Sequence, residues 1–120
     1  MMQASNKVSQ QHFTGASGQP VTALHFTGDI SSASKDAVVG AYEALDKSTH
    51  KQILLDFKGV EYLNSSGIAL VIQVLIGASK VGQKIAIAGL TPHFTKVVTM
   101  VGITKYAALY KDETSALAML

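Results

Sequence analysis

The order of apolar and polar positions changes period several times along this chain. Lys7 to Phe13 reads as a strand, and Val21 to Phe26 reads as a second, with Thr22, Leu24 and Phe26 on one face. Between them, Thr14-Gly15-Ala16-Ser17-Gly18-Gln19-Pro20 is a turn by its glycines and proline, so the two strands predict a hairpin. Gly28 to Ser32 follows as a loop. Ser31 or Ser32 caps a helix running to about Lys47, with Asp36 in its first turn and Val38, Tyr42 and Leu45 at helical spacing. Ile53-Leu54-Leu55-Asp56-Phe57 is too continuously apolar for a strand with one wet face, and predicts a central parallel strand.

A second long helix is predicted over Ser66 to Ser79, with Gly82 suited to its C-terminal cap. Lys84 to Ala88 is a strand with Ile85 and Ile87 on one face. Ala86 and Ala88 make its other face shallow enough for a helix to approach closely. Thr91-Pro92 pairs an N-cap with a first-turn proline and starts a helix striped by Phe94, Val97, Val98 and Val101, which Gly102 ends. Tyr106 to Tyr110 is a short strand, and Asp112 caps a final helix through Leu117. The resulting order, ββαβαβαβα, predicts an α/β domain. Its sheet is mixed but largely parallel after the N-terminal hairpin, and about four helices cover it. The whole of residues 1–120 reads as one domain, with Met1 to Asn6 a loose terminus.

Composition removes several chemistries. The chain is 48% hydrophobic and only 15% charged, which fits a packed core with apolar surface left for a partner. All ten basic residues are lysines, so no arginine clamp for phosphate exists, and their scatter makes no stripe for nucleic acid. With no cysteine there is no disulfide, thiolate zinc site or cysteine nucleophile. The residues from Met1 to Gln11 lack the apolar core of a signal peptide. The apolar run after Gly67 falls short of the ~20 residues that span a bilayer.

Candidate chemistry is concentrated in Leu63-Asn64-Ser65-Ser66-Gly67-Ile68, where an apolar strand gives way to an apolar helix. A helix start leaves backbone N–H groups unpaired and carries partial positive charge, which suits an anion such as phosphate. Ser65 and Ser66 are also ordinary capping residues, and Gly67 allows close packing or close approach of a partner. The segment lacks the first glycine of a G-x-S-x-G elbow, and no spacing marks His12, His25, His50 or His93 as a catalytic base or as metal ligands. Gly77 to Lys84 misses a phosphate loop, because Gln83 stands where lysine is required. Asp56, at the end of a strand, is either a ligand-binding acid or a structural one.

The chain resembles the STAS domain family, of the anti-sigma-factor antagonist type, from about Val21 to Leu117. The resemblance rests on Gly28-Asp29-Ile30, Leu55-Asp56-Phe57 with Val60, and Leu63-Asn64-Ser65-Ser66-Gly67-Ile68-Ala69-Leu70. It continues through Gly82-Gln83-Lys84, Ile87, Gly89-Leu90 and Val98 to Ile103. It implies a regulator that is not itself an enzyme, has no cofactor or metal, and works in the cytoplasm without entering a membrane. Ser65 matches the family's phosphate acceptor, and the low charged fraction and the apolar helix after Gly67 place a partner-binding face around it, formed by Asn64, Ser65, Ser66, Gly67 and Ile68. The implied partners are an anti-sigma factor that is also a serine kinase, bound when Ser65 is unphosphorylated and released on its phosphorylation, and a phosphoserine phosphatase that resets the switch. The family's usual acid before the serine is Asn64 here, which keeps capping ability without charge. Some members of the family instead serve, unphosphorylated, as subunits of membrane transport complexes or as signalling scaffolds.

Overall fold

The structure, a computed structural model, describes residues 7–120, so the expected loose terminus lies outside the described residues. Strands β1 (Lys7–Thr14) and β2 (Pro20–Thr27) form the expected antiparallel hairpin, with Lys7 opposite Thr27 and Thr14 opposite Pro20. Gly18, at φ 84°, turns the chain between them where a side chain would be strained. Strands β3 (Gln52–Gly59), β4 (Lys84–Ala88) and β5 (Ala107–Tyr110) then add in parallel, giving the order β1-β2-β3-β4-β5. The apolar Ile53–Phe57 run is the middle of the sheet, as its composition requires.

Each parallel step moves one strand in the same direction, so crossovers of one hand place their helices on one face. That face buries Leu24, Phe26, Leu55, Phe57 and Ile87 against Val38 and Tyr42, then Val71, Val74 and Leu75 of α2 (Ser65–Lys80), then Phe94 and Val98 of α3 (Pro92–Met100). The other face carries Val21, Ala23, Leu54, Ala86 and Ala88, and packs against Ala116 of α4 (Glu113–Met119) and Leu120. The small side chains of Ala86 and Ala88 admit that close helix. The same cover makes β2 buried on both faces, with Leu24 and Phe26 on one, as expected, and Val21 and Ala23 on the other.

The first helical segment departs most from expectation. It is not continuous to Lys47. A 3-10 turn (Ser32–Ser34), a π-helical stretch (Asp36–Gly40) and one α turn, α1 (Ala41–Glu43), succeed one another. The chain then leaves the helix because the Asp46 carboxylate accepts from the backbone N–H and hydroxyl of Ser48 at 2.8 and 2.7 Å, an alternative to helical bonding. Those bonds, side chain first, hold the Asp46 carboxyl below its ordinary range. Smaller corrections concern the ends. Tyr106 follows a 3-10 turn (Ile103–Lys105) and precedes β5, and α4 continues to Met119. Gly82, as expected, ends α2: it follows the cap residue Val81 in the left-handed region, at φ 75°.

Candidate functional site at the start of the second long helix

Two loops meet where α2 begins. The Gly28–Ser31 loop follows β2 and the Val60–Asn64 loop follows β3. Ile30 joins them: its N–H donates to the Tyr62 carbonyl at 3.0 Å, and its carbonyl accepts from the Asn64 N–H at 3.1 Å. Ile30 and Leu63 form an isolated parallel bridge, and both side chains are buried. Apolar anchors therefore hold the backbone of the two loops, and the polar residues after Leu63 fall at the surface.

Asn64 is the N-cap. It is extended (φ −87°, ψ 178°), and its Oδ1 accepts from the Gly67 N–H at 2.8 Å. The helix therefore starts at Ser65, one residue earlier than expected, and the capping role considered for the serines belongs to Asn64. Ser65 and Ser66 occupy the first two helical positions, both exposed. The first intrahelical bond runs from Ile68 N–H to the Asn64 carbonyl, which leaves the N–H groups of Ser65 and Ser66 without an intrahelical acceptor. No acidic side chain stands in this first turn. The turn offers two hydroxyls and the positive end of a 16-residue helix to solvent.

Gly67 is buried, and its role is internal packing. A Cβ there would lie 2.2 Å from the Ile30 carbonyl oxygen. Ile68 is half-buried against the core. Beside the turn, the exposed ring of Tyr62 meets Phe94 of α3 edge-on at 5.7 Å, and the His93 ring also meets Phe94 edge-on, at 4.8 Å. The surface around Ser65 thus combines the α2 start with an aromatic cluster from α3, which periodicity did not reveal.

The other three histidines are engaged elsewhere. His12 contacts Gln10 and Thr22, and the His50 ring contacts the Asp46 carbonyl. His25 contacts Glu113 and stands 3.6 Å from Asp56. Asp56 lies within β3 rather than at its end, nearly fully buried, and its Oδ1 accepts from the Lys58 N–H at 3.0 Å. Sequence spacing carried no signal for this grouping, since its members lie on β2, β3 and α4. Gln83 is a buried bridge. Its Oε1 accepts from the Tyr42 hydroxyl at 2.5 Å and its Nε2 donates to the His50 carbonyl at 2.7 Å. Among the described residues no helix is long and apolar enough to cross a membrane.

Comparison with known proteins gives this site its context. The family model described as "Mlab, STAS domain" matches residues 14–111. The chain is 22% identical over 115 residues to an anti-sigma F factor antagonist of Paenibacillus polymyxa, covering 95% of this chain and 94% of that protein. In fold it is similar to an anti-sigma factor antagonist from Mycobacterium paratuberculosis (TM-score 0.77, 19% identity, covering 97% of this chain and 96% of the other). It is also similar to a sulfate transporter family protein from Wolinella succinogenes (TM-score 0.71, 16% identity, 81% of each chain).

Proposed function

Because the chain belongs to the STAS domain family, we propose that it acts as an anti-sigma-factor antagonist by partner switching. Unphosphorylated, it binds an anti-sigma factor that is also a serine kinase. Phosphorylation of Ser65 releases it, and a phosphoserine phosphatase restores it. The chain works as one domain in the cytoplasm and is the kinase's substrate, not a catalyst. The observation that carries this reading is the position of Ser65, an exposed hydroxyl in the first turn of α2 within the segment that resembles the family's phosphorylation motif. The Paenibacillus relative, matched over nearly its whole length, supports the antagonist role.

The physical basis of the switch is an asymmetry between the free and bound states. A phosphoserine carries roughly −1.5 to −2 charges at neutral pH. In the free domain the α2 dipole and the N–H groups of Ser65 and Ser66 receive that charge in contact with water. In a complex docked over Ser65, Ile68 and the exposed Tyr62 ring, the dianion is desolvated, and this chain has no arginine to pair with it.

A second reading, a STAS subunit of a transport complex that needs no phosphorylation, is favoured by one residue: Asn64 stands where the family's usual acid would be. Affinity capture from the native host, followed by incubation of the captured kinase with ATP and mass spectrometry, separates the two. Recovery of a kinase-type anti-sigma factor that places phosphate on Ser65 supports the switch. Recovery of transporter components alone, or phosphate on Ser66, overturns it.

A further inference from the structure

On the sheet face opposite α2, three side chains from distant parts of the chain converge: His25 of β2, Asp56 of β3 and Glu113 in the first turn of α4. One ligand atom from each lies within 4.8 Å of the others. They line a cleft of about 680 Å³ at the C-terminal ends of β2 and β3, with Gly89, Lys58 and Lys111 also on its wall. Asp56 is 6% exposed, and His25 and Glu113 are half-buried. We propose that His25 Nε2, Asp56 Oδ2 and Glu113 Oε2 form a binding site for one divalent transition-metal cation of the zinc type, with its remaining coordination position open to the cleft.

Three observations carry this. First, His25 presents the same atom, Nε2, to both carboxylates. At these distances the one N–H there donates well to only one of them. It engages Glu113, and Asp56 Oδ2, at 3.6 Å, is left beyond hydrogen-bond distance. A cation in place of that proton serves all three groups together. Second, the 3.6 Å separation is close to the edge of a zinc tetrahedron, about 3.4 Å for metal–ligand bonds near 2.05 Å. Glu113, partly exposed, stands in close contact with His25, and the three ligand atoms all lie within 4.8 Å of one another. Third, Asp56 is already oriented, because the Lys58 N–H holds its Oδ1 at 3.0 Å and leaves Oδ2 facing His25. A hydrogen bond to a ligating carboxylate is the usual outer support of a metal site.

The donor set also selects the cation. One imidazole and two carboxylates suit zinc, cobalt and nickel, whereas magnesium and calcium favour all-oxygen cages. Two carboxylates neutralise a divalent ion. The rest of the cleft wall is polar, with Lys58, Lys111, Asp112 and Thr114, and leaves the open position to water.

The test is calorimetric titration of the full chain with zinc chloride, with the visible spectrum of the cobalt-loaded protein as a second readout. The expected result is one ion per chain, weakened about tenfold or more in both His25→Gln and Glu113→Gln, which stand at partly exposed positions and are checked for folding by circular dichroism. The His12 and His50 rings, with centroids 6.2 Å apart, are the competing histidine pair. His50→Gln should bind as wild type does. Absence of zinc uptake by the wild type, wild-type affinity in either ligand variant, or loss of binding in His50→Gln overturns the assignment. Neither result bears on Ser65, whose phosphorylation is read separately.

Discussion

The Cα of Gly67 packs against the carbonyl of Ile30 so closely that a Cβ on Gly67 would stand 2.2 Å from the carbonyl oxygen and 2.7 Å from its carbon. The atoms in the way are backbone, and that backbone is fixed by hydrogen bonds to Tyr62 and Asn64. The contact therefore sets how near α2 lies to the β2 end of the sheet, and with it the position of Ser65 two residues earlier.

Gly67→Ala should consequently destabilise the protein, although alanine is the better helix former. Overpacking against a fixed wall costs about 1–3 kcal/mol, which outweighs the gain in propensity of about 1 kcal/mol. Urea unfolding of Gly67→Ala and of Ser66→Ala, an exposed neighbour, measures the contrast. Equal midpoints would refute the packing role.

Asn64 caps α2 through a side-chain oxygen that aspartate also possesses. Asn64→Ala should cost about 0.5–2 kcal/mol, whereas Asn64→Asp should keep the 2.8 Å bond and add a charge the helix start favours. Thermal unfolding should thus rank Asn64→Asp at or above wild type, with Asn64→Ala lowest. If Asn64→Asp is phosphorylated faster at Ser65 as well, the missing acid tunes the kinase step rather than the fold.

The parts of this architecture that are legible along the chain are those written in local chemistry. The apolar Ile53–Phe57 run marks the central strand, Thr91-Pro92 the start of α3, and the Ala86/Ala88 face the seat of α4. The start of α2 is legible to within a residue, because Asn64 and Ser65 are both good caps and only the Asn64–Gly67 bond decides between them. What is not legible depends on tertiary contact. Nothing near Asp46 in the periodicity of Val38, Tyr42 and Leu45 announces that its carboxylate will bind Ser48 and end the helix. Gln83, which looks like a failed phosphate-loop residue, is a buried bridge between Tyr42 and His50. The grouping of His25, Asp56 and Glu113 requires the register of β2 on β3 and the return of α4 across the sheet.

The Tyr42–Gln83 bridge predicts an alkaline limit to stability. Burial, and then the charge of Glu43, hold the Tyr42 phenol above its ordinary value of 10.0. The native state thus keeps the proton that the unfolded chain releases near pH 10. The stabilisation is fully present below that pH and is lost as pH rises towards the folded-state value. Tyr42→Phe should cost about 1–3 kcal/mol at neutral pH, because it strands the buried Gln83 oxygen. The gap between the two proteins should narrow above pH ~10. Denaturant unfolding across that range checks it, and a gap that widens with pH contradicts the sign.

Ser65 itself separates stability from binding. At the first position of α2 an added negative charge meets the positive end of the dipole and two N–H groups without intrahelical acceptors, so the free domain should gain stability or hold it, within about 1 kcal/mol. Docking of a partner over the same turn buries the charge beside Tyr62 and Ile68 with no arginine within this chain to pair it, a penalty of several kcal/mol even after relaxation. Ser65→Asp should therefore unfold at or slightly above the wild-type temperature while its affinity for the captured anti-sigma factor falls by about two orders of magnitude or more, since each 1.4 kcal/mol is tenfold. Ser65→Ala should bind constitutively and resist phosphorylation, and Ser66→Ala should still be phosphorylated. Titration of the three variants against the partner, alongside their melting curves, tests the separation. A Ser65→Asp protein that binds as tightly as wild type, or one that fails to bind because it has unfolded, would show that the turn does not work as a switch.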